Sequence, residues 1–325
     1  MRDDVIGHIL KSRCEAAACA DVATWWPRHR ELAVVWRNPL DRAIAGGFAA
    51  DRMGWAFASG YQAALQALFP ALPEDRICAL CVTEAEGNHP RAIKSTLRRE
   101  GSAKGGGWRL DGAKRWTTLG PEGGLFLVAA RDAEVSGERI ALRIARVPSH
   151  APGVTIEPTA DARFVPEVPH ARLRFENVAV AEDALLPGDG YEDYVKRFRT
   201  VEDIHVHAAV LAYLVREARR LAWPHAWIER AAATLHALRA LAAEDPSLAA
   251  THIALAGALA NGAALVAAAD ASWQSVGGAE HGEAAARWKR DRELLRVAGK
   301  AREQRGARAW QRISGAAAEN ADLGV

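Results

Sequence analysis

The stretch Trp108–Thr118 reads Trp-Arg-Leu-Asp-Gly-Ala-Lys-Arg-Trp-Thr-Thr and lies in the middle of the chain. Two short segments flank the pair Asp111-Gly112. An Asp-Gly pair favours the positive φ angles of a tight turn between antiparallel strands. The stretch therefore predicts a β-hairpin at the centre of a strand-rich region.

Further short strands are predicted on both sides of this hairpin. Ile77–Val82 and Leu125–Arg131 are apolar runs, whereas Arg139–Val147 and Arg172–Val180 alternate apolar and polar residues. Such alternation turns one face of a strand toward a core and the other toward water. Because no helical pattern separates these strands, they predict a small antiparallel sheet or barrel rather than a βαβ fold.

Helical patterns occupy the chain before and after the strands. Asp51–Leu68 carries apolar residues three and four positions apart, and the prolines that follow it end this zone. The Ala-rich segments after the strands suit close packing in a bundle. The predicted later helices are Asp203–Leu221, His225–Ala243, Ser247–Ala271 and Ala284–Ile313.

These patterns predict an α+β fold in three domains. An N-terminal helical domain comprises residues 1–75, a β domain comprises residues 76–188, and a C-terminal helical bundle comprises residues 189–325.

Composition narrows the class of protein and its partners. The chain has 325 residues, of which 50% are hydrophobic and 25% charged, as in ordinary globular proteins. A net charge of +2 indicates neither nucleic acid nor an anionic membrane as the main partner. The N-terminus lacks the apolar core of a signal peptide, and the Ala-rich segment His252–Ala269 favours a buried bundle helix over a membrane span. We therefore expect a cytoplasmic protein with no membrane partner.

Four cysteines fall into two pairs, Cys14 with Cys19 and Cys78 with Cys81. A zinc site with four thiolate ligands is one interpretation. However, Cys78 and Cys81 lie three residues apart in a predicted strand, which points their side chains to opposite faces. We favour reduced, mostly buried thiols and predict no metal.

The segment Arg287–Arg312 holds ten basic and three acidic residues. Trp288 and Trp310 interleave with this charge, as they would in a helix that binds nucleic acid. Leu294 and Val297 give the segment an apolar side, however. We favour a charged bundle helix, at a subunit interface or beside a phosphate group of a ligand, and predict no nucleic-acid partner.

The order of several motifs resembles the acyl-CoA dehydrogenase family. In that family, a small β domain between two helical domains carries Thr-Glu-Pro followed closely by Gly-Ser-Asp. An Asn-Gly or Asp-Gly pair then leads into Trp-Ile-Thr-Asn. The corresponding segments here are Thr83-Glu84-Ala85, Gly87-Asn88, Asp111-Gly112, Trp116-Thr117-Thr118, Leu125–Ala130, Phe175–Val180 and Leu185–Gly188.

The resemblance implies that the chain binds FAD. The flavin ring needs an aromatic or apolar wall and hydrogen-bond partners along its edge. By resemblance, Trp116 packs against the ring, Thr118 bonds near its N5 atom, and the Val82–Thr83 segment meets its pyrimidine edge. Alternatively, Trp116 is a packed strand aromatic and the threonines end a strand. The implied cofactor-binding residues are Cys81, Val82, Thr83, Asn88, Trp116, Thr117, Thr118, Gly277 and Gly278.

Two residues differ from the family at positions that matter for chemistry. Asn88 replaces the serine that helps to hold the flavin pyrophosphate. In most members, a glutamate that follows an Arg-Asp pair removes the α-proton of the thioester. Counting forward from Arg290-Asp291 places that position at Gly299, which has no carboxylate.

Some family members carry the base on an earlier helix, and that location falls at or near Glu202. A buried glutamate beside a flavin has a raised pKa and can act as a general base. Alternatively, Glu202 and Asp203 supply negative charge to the N-terminus of a helix. His205 or His207 could also serve as an acid or base, or could simply be packed.

The resemblance implies an oxidoreductase, a homodimeric or homotetrameric flavoprotein that uses FAD for α,β-dehydrogenation of an acyl-CoA or related thioester. Two alternatives stay open. One is a flavin-dependent monooxygenase of the same fold, and the other is a non-catalytic relative with a binding or assembly role.

Overall fold

The computed structural model describes residues 4–101, 106–135, 140–159, 163–274 and 279–322. The chain divides into two compact units. A helical unit comprises Met1–Ala67, Arg163–Val165 and Thr200–Val325, and a sheet unit comprises Leu68–Ala162 and Pro166–Arg199.

Four helices precede the sheet: α1 (Val5–Lys11), α2 (Val22–Val35), α3 (Pro39–Ala49) and α4 (Met53–Leu68). Each of the first three helices follows an N-cap residue whose side chain accepts a hydrogen bond from a backbone N–H of the first turn. These N-cap residues are Asp4, Asp21 and Asn38. The prediction of a helix at Asp51–Leu68 is confirmed by α4.

Five helices follow the sheet: α5 (Lys196–Arg220), α6 (His225–Ala242), α7 (Ala249–Gln274), α8 (Ala279–Asp291) and α9 (Gly299–Asp322). Two predictions were wrong in detail. The first of these helices begins at Lys196 instead of Asp203, after a π-helical turn at Gly190–Val195. The predicted single helix Ala284–Ile313 is interrupted by a 3₁₀ stretch at Arg292–Arg296. This stretch follows Asp291, whose buried carboxylate accepts the N–H of Val165.

Glycines allow α3 and α4 to pack directly on the backbone of α5. A Cβ atom on Gly47 would lie 2.0 Å from the carbonyl oxygen of Ala209, and one on Gly60 would lie 2.7 Å from Cα of Val206. Any larger residue at either position would push the helices apart. The close approach leaves no gap between α5 and the two helices that pack on it.

The sheet has seven strands: β1 (Cys78–Cys81), β2 (Thr96–Arg99), β3 (Trp108–Thr118), β4 (Leu125–Asp132), β5 (Leu142–Pro148), β6 (Val154–Pro158) and β7 (His170–Val180). Their order is β1-β4-β2-β3-β7-β6, and β5 pairs with β4. The core of this unit contains Leu97, Leu110, Phe126, Leu173 and Phe175.

The sheet is mixed, whereas the sequence predicted an antiparallel one. β4 pairs in parallel with both β1 and β2, and the other pairs are antiparallel. The prediction failed because alternation of apolar residues reports which face is buried but not the direction of the neighbouring strand. The helices and mixed sheet together still confirm the α+β class.

The predicted hairpin at Asp111-Gly112 was also wrong. Trp108–Thr118 forms one continuous strand, and its register against β7 shifts between Leu110 and Gly112. Gly112 has φ +142°, and a Cβ atom there would lie 2.3 Å from the hydroxyl oxygen of Ser95. At this shift a single residue of β3, Asp111, lies opposite two residues of β7, Glu176 and Asn177, so the Asp-Gly pair faces a β-bulge in β7 and does not form a turn.

Among the described residues, α7 has the length and the apolar composition of a membrane span. The helix has 26 residues, and 33% of its most apolar window is buried within the structure.

Candidate functional site

An exposed tryptophan marks one edge of the sheet. Trp116 lies near the end of β3, and its side chain is 60% exposed. Its φ angle is +58°, and the register of β3 against β7 shifts between Lys114 and Thr117. A left-handed backbone costs a bulky residue about 1–3 kcal/mol, and such strain concentrates at functional sites. The fold holds an aromatic face outward at an energetic cost.

The segment after β1 runs beside this tryptophan. The N–H of Arg115 donates to the carbonyl oxygen of Thr83 at 2.7 Å. Val82 and Thr83 are half-buried, so each residue keeps part of its surface open to solvent. The structure thus brings three predicted site residues, Val82, Thr83 and Trp116, to one place.

A threonine and a histidine complete this edge. The Thr118 hydroxyl lies 3.4 Å from Nε2 of His170, whose ring meets the Trp116 ring edge-on at a centroid distance of 6.4 Å. Burial lowers the pKa of His170, so the ring is neutral at pH 7. His170 was missed because a histidine at the start of a strand carries no motif.

Two predicted site residues face the core of the sheet instead. Cys81 and Thr117 are both buried, and the Thr117 hydroxyl lies 3.9 Å from the Cys81 sulfur. Burial raises the pKa of Cys81 to about 12, although Thr117 and Lys114 oppose the shift. These two side chains therefore lie in the sheet core beneath the Trp116 edge and do not reach a ligand on its surface.

A buried ion pair lies beneath the same edge and was missed by the sequence analysis. The Lys114 ammonium is fully buried and donates to Oε1 of Glu84 and to the carbonyl oxygen of Ala129, both at 2.6 Å. Glu84 also accepts the N–H of Lys94 and both the N–H and hydroxyl of Ser95. The sequence offered one signal for this ion pair, which was a lysine at an inward-facing position of β3.

The pair fixes the strand segments that carry the predicted flavin contacts. Glu84 follows Thr83 directly, and Lys114 precedes Trp116 by two residues. Burial opposes the charge on Glu84, but Lys114 and the hydrogen bonds from Ser95 and Lys94 outweigh it and lower the pKa of the carboxyl. Glu84 is therefore ionised at neutral pH and available as a fixed anchor, not as a proton acceptor.

The predicted pyrophosphate position lies on an exposed turn. Glu84 and Gly87 exchange two backbone hydrogen bonds, and Gly87 has φ +117°. Asn88 follows with an exposed side chain. Its backbone carbonyl oxygen lies 3.5 Å from a guanidinium nitrogen of Arg199. Gly277 and Gly278 lie outside the described residues.

Glu202 lies in the second turn of α5 with a half-buried side chain. The alternative that Glu202 and Asp203 charge a helix N-terminus is wrong, because the helix begins at Lys196. Asp203 instead is buried and accepts from Arg302 and Arg305, each at 2.7 Å.

The two histidines of α5 form hydrogen bonds with backbone carbonyl groups of the same helix. Nδ1 of His205 lies 2.7 Å from the Val201 carbonyl oxygen, and Nδ1 of His207 lies 2.8 Å from that of Asp203. Burial lowers the pKa of each ring to about 4. Both rings are thus neutral at pH 7, and their low pKa makes them weak proton acceptors.

Gly299, which occupies the usual base position, is the first residue of α9 and lines a cavity of about 560 Å³ within the helical unit. A Cβ atom at Gly299 would have no other atom within 4 Å. The structure thus leaves space for a side chain where the sequence supplies none.

The basic segment around α8 and α9 takes part in packing. Trp288 is buried and donates to Asp270 at 2.8 Å, whereas Trp310 is exposed. Arg302 and Arg305 pair with Asp203, and Arg290 pairs with Asp291. These contacts support the interpretation as a charged bundle helix.

The described residues contain no cluster of three or more metal-ligating side chains. All four cysteines are free thiols, and burial raises the pKa of Cys78 to about 12.

Comparison with known proteins gives a consistent relationship. The model of the acyl-CoA dehydrogenase middle domain matches residues 79–178. Benzylmalonyl-CoA dehydrogenase of Aromatoleum aromaticum is 31% identical over 153 residues. The matched region covers 46% of this chain but only 38% of that protein, well under half of its length.

Solved structures share the fold at low sequence identity. Butyryl-CoA dehydrogenase from Megasphaera elsdenii has a TM-score of 0.67 at 14% identity and covers 84% of this chain and 82% of its own. The FAD complex of PigA has a TM-score of 0.65 at 13% identity and covers 90% of each chain. These likenesses confirm the predicted acyl-CoA dehydrogenase-like fold.

Proposed function

We propose that this chain, which belongs to the acyl-CoA dehydrogenase family, is a flavoprotein that binds FAD at the Trp116 edge of its sheet and oxidises an acyl thioester. The observation that carries the proposal is the exposed, strained Trp116 beside the half-buried Val82 and Thr83. A flat ring system needs such a wall with hydrogen-bonding groups beside it. The known FAD complex of PigA, which has the same fold, supports the choice of cofactor.

The residues present fit the flavin. Trp116 offers an aromatic face, Thr118 a hydroxyl, and Val82 and Thr83 backbone groups at the ring edge. Asn88 would donate to the pyrophosphate from an exposed turn beside Arg199. When bound, FAD supplies the hydride acceptor for the reaction.

We assign the proton transfer to Glu202. Gly299 has no side chain, and His205 and His207 have low pKa values and are bonded to carbonyl groups. In α,β-dehydrogenation, the Glu202 carboxylate would take the α-proton of the thioester, and a carbon–carbon double bond would form as the β-hydride is lost to the acceptor that FAD supplies when bound.

Gly299 favours a second candidate function. A flavin-dependent monooxygenase does not need a carboxylate there, since it uses reduced flavin and oxygen instead of abstracting an α-proton. A non-catalytic relative would not need the carboxylate either. The homo-oligomeric state and the cytoplasmic location stay predictions from the family resemblance.

The first test is an absorption spectrum of the purified protein after addition of FAD and desalting. We expect a bound-flavin spectrum, and we expect Trp116→Ala to lower FAD affinity by at least about tenfold, the effect of losing a stacked aromatic contact. Trp310→Ala is the matched control, because its side chain is 58% exposed in the helical unit. A desalted protein without flavin would reject the flavoprotein.

The second test separates the reactions. Anaerobic addition of butyryl-CoA or benzylmalonyl-CoA should bleach the bound flavin, and Glu202→Gln should block bleaching while keeping FAD bound. Bound FAD that no thioester bleaches would reject the dehydrogenase, and oxygen consumption with chemically reduced flavin would then select the monooxygenase.

A further inference from the structure

His170 is the first residue of β7, and it lies directly opposite Thr118 in the pairing with β3. The backbone around it is held on two sides. The N–H of Leu119 donates to the carbonyl oxygen of Pro169 at 2.8 Å. Thr159 donates its N–H, at 2.9 Å, and its hydroxyl, at 3.0 Å, to the carbonyl oxygen of His170. The imidazole therefore projects from a fixed point at the end of the sheet.

The imidazole contacts both side chains that the proposed flavin site takes from the end of β3. Its Nε2 atom lies 3.4 Å from the Thr118 hydroxyl oxygen, so the two groups can share one hydrogen bond. The ring also meets the Trp116 ring edge-on with the centroids 6.4 Å apart, a separation typical of stabilising aromatic pairs. One side chain thus restrains two groups that face a ligand.

The contact with Nε2 restricts what the Thr118 hydroxyl offers to a ligand. A hydroxyl has one hydrogen to donate and two lone pairs, and its hydrogen rotates to suit its surroundings. Burial lowers the pKa of the His170 ring, so at pH 7 a neutral Nε2 either donates to the hydroxyl oxygen or accepts its hydrogen. Either arrangement uses one function of the hydroxyl and leaves the rest directed away from His170.

We propose that His170 is a positioning residue of the flavin site, which holds the Thr118 hydroxyl and the Trp116 ring in place before FAD binds. A group that is fixed in advance loses less conformational freedom when the ligand arrives. All three residues belong to the sheet unit. The inference rests on the proposed function and deepens it, because it adds a residue that acts through the ligand contacts.

The test is a double-mutant cycle on the FAD affinity of the full chain, measured by quenching of flavin fluorescence. His170→Phe keeps a ring at the edge of Trp116 but removes Nε2, and Thr118→Val removes the hydroxyl at nearly the same volume. Each single change should weaken FAD binding about fivefold, the effect of one neutral hydrogen bond. The double variant should bind FAD no more weakly than Thr118→Val alone, since the effect of Nε2 passes through the hydroxyl.

His150→Phe is the matched control, because His150 is an exposed histidine of the same unit. It should leave FAD affinity unchanged. Hydrogen bonds to the flavin ring tune its electronics, so His170→Phe and Thr118→Val should shift the absorption maxima of bound flavin in the same direction. A general loss of stability would weaken binding without this shift.

A direct readout of the contact uses the FAD-free chain. The nitrogen NMR signal of His170 Nε2 should move on Thr118→Val, because that change removes its hydrogen-bond partner. This measurement needs no substitution at His170, so it decides the matter even if His170→Phe does not fold.

Additive effects of His170→Phe and Thr118→Val on FAD affinity, or an unmoved Nε2 signal, would overturn the positioning role and leave the proposed function standing. A chain that binds no FAD would overturn the proposed function and this inference with it. The two failures are therefore told apart by whether the unmodified chain retains FAD.

Discussion

The sheet edge at Trp116 exposes its functional side chain, whereas the start of α5 buries its polar side chains. At the sheet edge, an aromatic ring stays exposed on a strained backbone. In α5, Asp203 and His205 are buried and bonded to groups of the protein itself. The difference teaches that one chain can leave an aromatic surface open at the edge of a sheet and yet close the polar groups of a helix to any ligand.

The largest expected effect comes from breaking the support beneath the sheet edge. Lys114→Ala leaves Glu84 buried without its cation, and we expect the free energy of unfolding to fall by about 3–5 kcal/mol. Urea denaturation measures this loss. Lys196→Ala is the control, because Lys196 forms an exposed pair with Glu192 that contributes at most about 1 kcal/mol. Equal losses in both variants would contradict the role of the buried pair.

The next expected effect is a pH dependence of the free energy of unfolding, which arises from a buried histidine of α5. Burial lowers the pKa of His205 from 6.5 to about 4, so the unfolded chain binds its proton first as the pH falls. The stability that depends on neutral His205 is complete above pH 6.5 and decreases as the pH falls toward 4. At pH 5, this one histidine should account for a loss of roughly 2 kcal/mol.

Urea denaturation of the unmodified chain and of His205→Gln at pH 7 and pH 5 measures that contribution. The difference between the two pH values should be smaller in the variant by the amount stated. His236→Gln serves as the control, because His236 is exposed on α6. An unchanged difference in His205→Gln would show that the ring is not held neutral by burial.

The smallest effect in stability acts on the sheet edge itself. Trp116→Gly relieves the positive φ angle, and we expect it to raise the free energy of unfolding by about 1 kcal/mol. The same change removes the aromatic wall and should abolish retention of FAD on desalting. A variant that is both less stable and still yellow would contradict the link between strain and binding.

Much of the fold followed from local patterns. The apolar alternation of Arg172–Val180 predicted β7, and the spacing in Asp51–Leu68 predicted α4. Gly112 shows the limit of such reasoning, because a bulge and a tight turn need the same conformational freedom. The pairing partner decides between them, and here β7 places two residues opposite Asp111.

The candidate site was predicted less completely than the fold. Trp116 and Thr83 belong to motifs and were found, but Lys114 meets Glu84 across 30 residues of sequence. Alternation from Trp108 and Leu110 places Lys114 at an inward-facing position of β3, but it does not identify the carboxylate that the ammonium meets there. Long-range pairs and bulges of this kind become visible only in three dimensions.

The open space at Gly299 has an evolutionary consequence. Outside its own helix backbone and chain neighbours, a Cβ atom there would meet no atom within 4 Å, so a side chain can begin at this position without displacing another helix. Glycine and glutamate codons can differ by a single nucleotide. For descendants of this chain, an acid at this position is therefore one mutation away, and its first side-chain carbon would meet open space.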